Sequence, residues 1–482
     1  MNSQEKSKSK QKKASIGRQY LIVSYLFVGI FLSLIGYIVY FNVYKRDDFL
    51  NSPYNKRAAS YQEEVIRGSI CAADGTVLAR TDVDEAGNET RVYPYNQLFA
   101  HAVGYSTSGG GGLESTESIT LLTSHANPLE QVQNGFQNEK NTGDNLITTF
   151  NVNLQQAAYD AFGDNKGAVI VMKPSTGEVL VDLSKPDFDP NTISANWDTL
   201  SSDNENSPLL NRSLQGLYPP GSTFKIITSL AYLRQNLTLD GFQFNCTGEL
   251  EGGGYTIHCY ASTAHGDEDY TTAFANSCNS AFAQIGLSLD KASFATVADS
   301  LSFNKKIALE LPSSASRFDL NAQTADALVM QTAIGQGDTL MTPMHLAMIA
   351  GAVANDGIAM TPKFMNSVTN YTGTVVKEES NQVYGQMMSA QEAAQIKELM
   401  KAVVASGTGS ALNDLGVTIA GKTGSAEFSS NPDNTHSWFV GFSDTGSPDD
   451  IVVCVLAENA GAGSATAVPI ARSIFASYFS AE

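Results

Sequence analysis

This sequence predicts an α+β fold raised above a membrane anchor, and three observations carry that reading. Strand-like runs stand near both ends of the C-terminal part with helical stretches between them, so one sheet must draw those ends together. An apolar run of 22 residues, Tyr20–Phe41, contains no Asp, Glu, Lys or Arg. Between the two lies polar, broken chain with Gly109–Gly112 at its centre. The organisation that follows is a basic tail at 1–19, an anchor at 20–41, a pedestal at 42–145 and a catalytic part at 146–482.

At 482 residues the chain is long enough for two or three units with ample core. Its five Cys exclude a disulfide-framework scaffold. A net charge of −19 argues against nucleic acid as a partner, which needs a basic footprint. The charge is unevenly spread: residues 1–18 carry a net +5, which leaves −24 on the rest.

The apolar run marks the boundary between those charges. As a helix it measures roughly 33 Å, enough to cross a hydrocarbon core. It exceeds the h-region of a signal peptide, and bulky Tyr40, Phe41 and Tyr44 follow it instead of a small-residue cleavage site. Six Lys/Arg precede it, while Lys45, Arg46, Lys56 and Arg57 follow, which places the tail inside and the body outside. The glycine-rich stretch after it reads as a small pedestal with a flexible segment.

After residue 146 the pattern tightens. Gly167 to Leu183 reads as two strands around a Pro/Gly turn. Helices are expected around 222–235, 273–290, 340–356, 390–406 and 468–479, and strands at 417–421, 436–442 and 451–457.

Three short motifs hold the chemistry. In Pro219-Pro220-Gly221-Ser222-Thr223-Phe224-Lys225 the breaker stops the preceding chain and Ser222 opens a helix, with Lys225 on the same face. A serine hydroxyl needs a neighbouring base, and a desolvated lysine can serve. Ser-x-x-Lys occurs at six places here, but only Ser222 follows Pro-Pro-Gly. The second motif is Ser277-Cys278-Asn279, and the third is Lys422-Thr423-Gly424, placed on or just after the strand Val417–Gly421.

In that order, with gaps of 55 and 145 residues, the motifs resemble the penicillin-binding proteins and class A β-lactamases. More narrowly, the chain resembles a class B penicillin-binding protein, a bitopic peptidoglycan D,D-transpeptidase. Arg67-Gly68, Asp74-Gly75, His101 to Tyr105 and Gly112-Leu113-Glu114 are similar to pedestal blocks of that family. Gly335-Gln336-Gly337, Thr342-Pro343, Asn355-Asp356-Gly357 and Trp438 to Gly441 are similar to blocks of its transpeptidase domain. The departures are Ser425, where Thr is commoner, and a short pedestal. The resemblance implies a penicillin-binding serine transferase (β-lactamase-like) domain: an antiparallel sheet flanked by helices.

The resemblance also implies roles. Ser222 forms the acyl-enzyme with the penultimate D-Ala of a stem peptide, and Lys225 is its base. Ser277 relays a proton to the leaving amine, and Asn279 holds the substrate amide. Lys422 and Thr423 grip the terminal carboxylate. The N–H groups of Ser222 and Ser425 form the oxyanion hole, and Gly424 keeps the strand edge open. The implied partners are D-Ala-D-Ala stem peptides, β-lactams and a polytopic glycan polymerase. No cofactor or metal is implied.

Three other readings are weighed. A class A β-lactamase would carry Glu-x-x-x-Asn between the second and third motifs, and none occurs there. A D,D-carboxypeptidase differs only in using water as acceptor and stays open. So does a β-lactam sensor or idle scaffold, although a sensor's His-Glu-x-x-His is missing and all three motifs are intact.

Cys246 and Cys259 flank a Gly-rich loop and are expected to form a disulfide, with two separate thiols as the alternative. Cys278 is read as a small buried filler. His258 and His265 have no paired metal-ligand spacing and are assigned a structural loop role over zinc.

Overall fold

The computed structural model describes residues 3–41, 62–137, 139–427 and 434–480. The chain divides into two units, Met1–Ala58 and Ala59–Glu482. In the first, one helix runs from Ser3 to Tyr40, and its segment Tyr20–Tyr40 has a mean hydropathy of 2.4 with none of it buried. That segment is long and apolar enough to cross a membrane, at the place the sequence predicts. Residues 42–61 of the expected pedestal lie outside the described residues.

The second unit is organised by a five-stranded antiparallel sheet in the order Ile419–Glu427, Thr435–Ser443, Val452–Ala457, Gly167–Met172, Val179–Lys185. The first and last parts of the catalytic stretch meet where Val452 pairs with Met172 and Ala457 with Gly167, as the alternation of strands and helices predicts. Every residue of the four strands Gly167–Met172, Val179–Lys185, Thr435–Ser443 and Val452–Ala457 is buried. Helices cover both faces, so the two inner strands Gly167–Met172 and Val452–Ala457 are apolar throughout and do not alternate with polar residues. Phe162, Ile474 and Phe475 from helices Val152–Phe162 and Ala467–Ser480 pack against Val169, Val171 and Val453 on one face. On the other, helix Pro343–Ala354 packs with Gly351 toward the sheet, where an added Cβ would meet Val452 Cγ2 at 3.7 Å. Thr342 caps that helix by accepting from the His345 N–H, and Pro343 occupies its first turn.

A second sheet of six strands runs Val375–Glu378, Met365–Thr369, Asn145–Thr148, Ile70–Cys71, Val77–Val83, Glu89–Val92. Chain from both sides of residue 146 therefore shares one sheet. Behind it, Glu114 is buried between Arg67 and Arg91, each of whose Nε atoms lies 2.6 Å from a different carboxylate oxygen. Burial alone would raise the Glu114 carboxyl; Arg91 and Arg67 outweigh it and hold the group below its ordinary range.

The glycine run expected to be a flexible segment is packed. A Cβ on Gly104, at φ +83°, would meet the Gly111 carbonyl at 1.8 Å, and Tyr105 bridges to Gly111. Gly112 is glycine because its backbone touches that of Gly104, and Gly111 because the Tyr105 ring lies against it.

Between residues 243 and 269 four short strands form two pairs, Gln243–Cys246 with Gly266–Asp269 and Glu249–Gly252 with Tyr255–His258. Alternation is confined here to runs as short as Gln243–Cys246, and the buried apolar side chains from 243 to 266 are Cys246, Ile257 and Cys259.

Candidate active site

The expected helix starting at Ser222 begins three residues later. Pro219-Pro220 and left-handed Gly221 (φ +54°) turn the chain into a 3-10 segment, Gly221–Phe224, and the α-helix runs Lys225–Asn236. In 3-10 geometry positions i and i+3 eclipse, so Ser222 and Lys225 still share a face. The turn is fixed from two sides: the Gly221 N–H donates to the Gly335 carbonyl at 2.9 Å, and Trp438 Nε1 donates to the Pro219 carbonyl at 3.0 Å. Gly335 and Trp438 lie in the blocks 335–337 and 438–441, which thereby acquire a physical role.

The single helix expected over 273–290 is two, Tyr270–Ala275 and Asn279–Ser288, broken at Ser277 with φ +58°. The break turns the second motif toward the first. Lys225 Nζ donates to the Ser277 carbonyl at 2.6 Å, to Asn279 Oδ1 at 2.8 Å and to Ser277 Oγ at 3.3 Å. Asn279 Nδ2 donates in turn to the His258 carbonyl at 3.0 Å.

The third motif lies inside a strand, Ile419–Glu427, longer than the expected 417–421. Lys422 Nζ donates to Ser277 Oγ at 2.9 Å and to the Thr423 carbonyl at 3.0 Å. Thr423 Oγ1 pairs at 2.6 Å with Thr408 Oγ1, and Ser425 Oγ accepts from the Gly463 N–H at 3.1 Å. Gly424 serves packing on the side of the nucleophile turn: a Cβ there would meet Thr223 Cγ2 at 2.9 Å and the Pro220 carbonyl at 3.0 Å.

Lys225 and Lys422 thus converge on Ser277, Asn279 holds Lys225, and Thr423, Gly424 and Ser425 follow Lys422 along its strand, while Ser222 stands on the turn that Gly424 packs against. Both lysines are fully buried. Burial lowers Lys225 to a pKa of about 8. Burial, then the charge of Lys225, holds Lys422 well below the ordinary lysine range. Two ammonium groups sharing one hydroxyl in a dry site repel each other, so the arrangement favours a neutral amine beside Ser277.

Sequence reasoning missed Thr408 and Gln336. Thr408 follows helix Ala390–Ala405 without any motif. The Gln336 amide, oriented to suit its neighbours, pairs with both backbone groups of Glu427 at 3.0 Å; its glycine flanks were the only signal.

The disulfide expected between Cys246 and Cys259 is absent: both thiols are free, with Sγ atoms 3.7 Å apart. Cys278 is buried, as expected, but it is no isolated filler. Cys246, Cys259, His265 and Cys278 place one ligand atom each within 4.8 Å of one another. Linear spacing hid this group, because the paired strands and the break at Ser277 assemble it.

A serine on a tight turn, a buried lysine three residues on, and a serine bridging that lysine to another on a sheet edge define the penicillin-interacting serine acyltransferases. The chain belongs to the penicillin-binding protein family: the penicillin binding protein transpeptidase domain matches residues 167–476, and the penicillin binding protein A dimerisation domain matches residues 67–146. It is 32% identical over 472 residues to the peptidoglycan D,D-transpeptidase PbpA of Mycobacterium tuberculosis, covering 90% of this chain and 93% of that one. The structure of penicillin-binding protein A from M. tuberculosis as a penicillin G acyl-enzyme superposes with a TM-score of 0.78 at 30% identity, covering 86% of this chain and 100% of the other. A D,D-transpeptidase domain from Eggerthella lenta superposes with a TM-score of 0.77 at 29% identity, over 86% and 98% of the two chains.

Proposed function

We propose that this chain is a peptidoglycan D,D-transpeptidase that crosslinks stem peptides through an acyl-Ser222 intermediate, and that β-lactams acylate the same serine. The observation that carries the reading is Lys225, fully buried with a pKa lowered to about 8 and held by Ser277 and Asn279. A neutral amine at that place is a base for the hydroxyl on the next turn.

In this reading Ser222 Oγ attacks the carbonyl of the penultimate D-Ala while Lys225 takes its proton. The tetrahedral oxyanion sits against the N–H groups of Ser222 and Ser425, each such donor contributing about 2.7–4 kcal/mol to lowering the barrier. Collapse breaks the peptide C–N bond, and D-Ala leaves with a proton passed through Ser277. An amine of a second stem peptide then attacks the ester, its proton returns along the same path, and Ser222 is released. Asn279 orients the substrate amide. Thr423 and Ser425 present hydroxyls to the terminal carboxylate, and Lys422 behind them grips it, its protonated form favoured by that negative charge once the substrate is bound.

The division into tail 1–19, anchor 20–41, pedestal 42–145 and catalytic part 146–482 belongs to the same reading. The tail stays inside, the anchor crosses once, and the body stands outside the membrane, where its substrate lies. The anchor and pedestal bind a polytopic glycan polymerase. The test uses full-length protein and a lipid-linked pentapeptide polymer: dimeric crosslinked product should form and vanish with Ser222→Ala. Release of D-Ala without dimer would make it a carboxypeptidase, and undiminished fluorescent-penicillin labelling of Ser222→Ala would overturn the site.

A further inference from the structure

We propose that Cys246, Cys259, His265 and Cys278 form a tetrahedral Cys3His site for one zinc ion, and that through Cys278 this ion fixes the position of the second motif. Nothing in the reaction above uses these four groups, yet the segment from Cys246 to Cys278 folds back on itself to bring them to one point.

The separations have the size a zinc ion requires. With Zn–S bonds of about 2.3 Å and Zn–N bonds of about 2.05 Å, the edges of a tetrahedron are about 3.8 Å between sulfurs and about 3.5 Å between sulfur and nitrogen. The Cys246 and Cys259 sulfurs are 3.7 Å apart, those of Cys259 and Cys278 are 3.8 Å apart, and Cys246 Sγ lies 3.4 Å from His265 Nδ1. Two thiols packed by chance could reach one such distance. Four ligand atoms mutually within 4.8 Å, of which three are sulfurs, make a closed set of the kind that selects zinc.

The surrounding chain has the form of a metal-held knuckle. Gln243–Cys246 and Gly266–Asp269 pair with Cys246 opposite Gly266, which sets the first ligand beside the residue after His265. Cys259 ends the Tyr255–His258 hairpin. Apart from two of the proposed ligands, only Ile257 among the apolar residues of 243–266 is buried. Four short strands held to the core by Ile257 and the half-buried Phe244 and Leu250 gain from a staple. Ala261 and Ser262, between Cys259 and His265, both adopt positive φ (+51° and +52°), a costly conformation that a bound ion would repay. Cys278 caps helix Asn279–Ser288 and accepts from the Ala281 N–H at 3.3 Å, which fixes its sulfur at the start of that helix.

On binding, three thiols release their protons to solvent and three thiolates and one imidazole ligate Zn2+; no redox step is involved. The consequence for the active site follows from the chain: Cys278 stands between Ser277 and Asn279. The loop that carries Cys259 also offers the His258 carbonyl to Asn279. The ion would therefore tie the knuckle to both polar residues that hold Lys225. The four side chains are positioning residues in this role.

The test is the metal content of full-length protein purified in detergent with a thiol reductant and no chelator. One zinc per chain is expected, falling at least tenfold in Cys246→Ala and retained in Cys246→His, which offers another zinc ligand. Cobalt exchanged into the site should give the visible absorption of a tetrahedral thiolate complex. This measurement is independent of what reaction the chain performs. Native protein without metal would overturn the proposal, whether its four groups are free or two thiols are bridged. The acylation arm alone rests on the proposed function: stripping the zinc should lower kcat/KM for penicillin acylation on the order of tenfold, restored by zinc and not by magnesium. Unchanged acylation by the stripped protein would remove the positioning role and leave the metal site standing.

Discussion

Lys422 and Ser277, 145 residues apart in the chain, meet through a 2.9 Å hydrogen bond from the buried lysine Nζ to the serine hydroxyl. Lys422 therefore engages the second motif directly, beside the carboxylate-binding role proposed for it. The two roles separate kinetically. If Lys422 chiefly orients Ser277, Lys422→Ala should lower kcat for crosslinking on the order of a hundredfold with little change in KM. A rise in KM with kcat preserved would make it a carboxylate-binding residue and overturn the orienting role.

The second prediction concerns pH. Burial lowers Lys225 from the ordinary 10.5 to about 8. The base acts only as the neutral amine, so its active fraction grows as pH rises and is complete above that value. The second-order rate of penicillin acylation should rise roughly tenfold per pH unit below pH 7 and level off above about 8. Rates measured from pH 5.5 to 9.5 decide it; a profile flat through pH 6–9 would remove Lys225 as the base.

Much of this arrangement was legible in the sequence, and the illegible parts share a cause. The anchor and the strands near residues 167–183 and 436–457 announce themselves because their burial is continuous along the chain. Ser222 and Lys225 were found because Pro-Pro-Gly acts locally. The start of the helix at Lys225 and the strand containing Lys422 were misplaced or shortened because tertiary contacts from Gly335 and Trp438 set them, and the break at Ser277 was missed because it rests on a local turn closed by the Cys278 N–H on the Ala273 carbonyl. The thiol cluster has ligands at Cys246, Cys259, His265 and Cys278 with no paired spacing, so only strand pairing reveals it. The sharing of one sheet by Asn145–Thr148 and Met365–Thr369 is likewise invisible in one dimension.

Glu114 supplies the third prediction. Its carboxylate is fully buried between Arg67 and Arg91, and removing one member of such a group leaves uncompensated charge. Glu114→Ala should destabilise the protein by about 3–5 kcal/mol. Burial opposes ionisation here, but Arg91 and Arg67 prevail, so the folded pKa lies below the unfolded one. The stability this group contributes is complete above the ordinary carboxylate range and is lost as pH falls through the folded value. Chemical denaturation at pH 7 and pH 4 checks both statements: the penalty of the variant should shrink at the lower pH, and an unchanged penalty would contradict the assignment.

Gly424 provides the last. Its Cα hydrogen faces the nucleophile turn, where an added Cβ would lie 2.9 Å from Thr223 Cγ2 and 3.0 Å from both the Pro220 carbonyl and Trp438 Cβ. Backbone and a fully buried tryptophan cannot yield, so Gly424→Ala must separate strand Ile419–Glu427 from the turn Gly221–Phe224. Overpacking of this size costs about 1–3 kcal/mol, which a large core tolerates. The catalytic geometry does not tolerate it, because the oxyanion donors proposed at Ser222 and Ser425 lie on the two parts being pushed apart. The variant should therefore stay folded, with Tm lowered by a few degrees on the scale of that penalty, while penicillin acylation falls on the order of a hundredfold. Acylation that survives in a folded Gly424→Ala protein would mean that the turn and the strand do not share the oxyanion site.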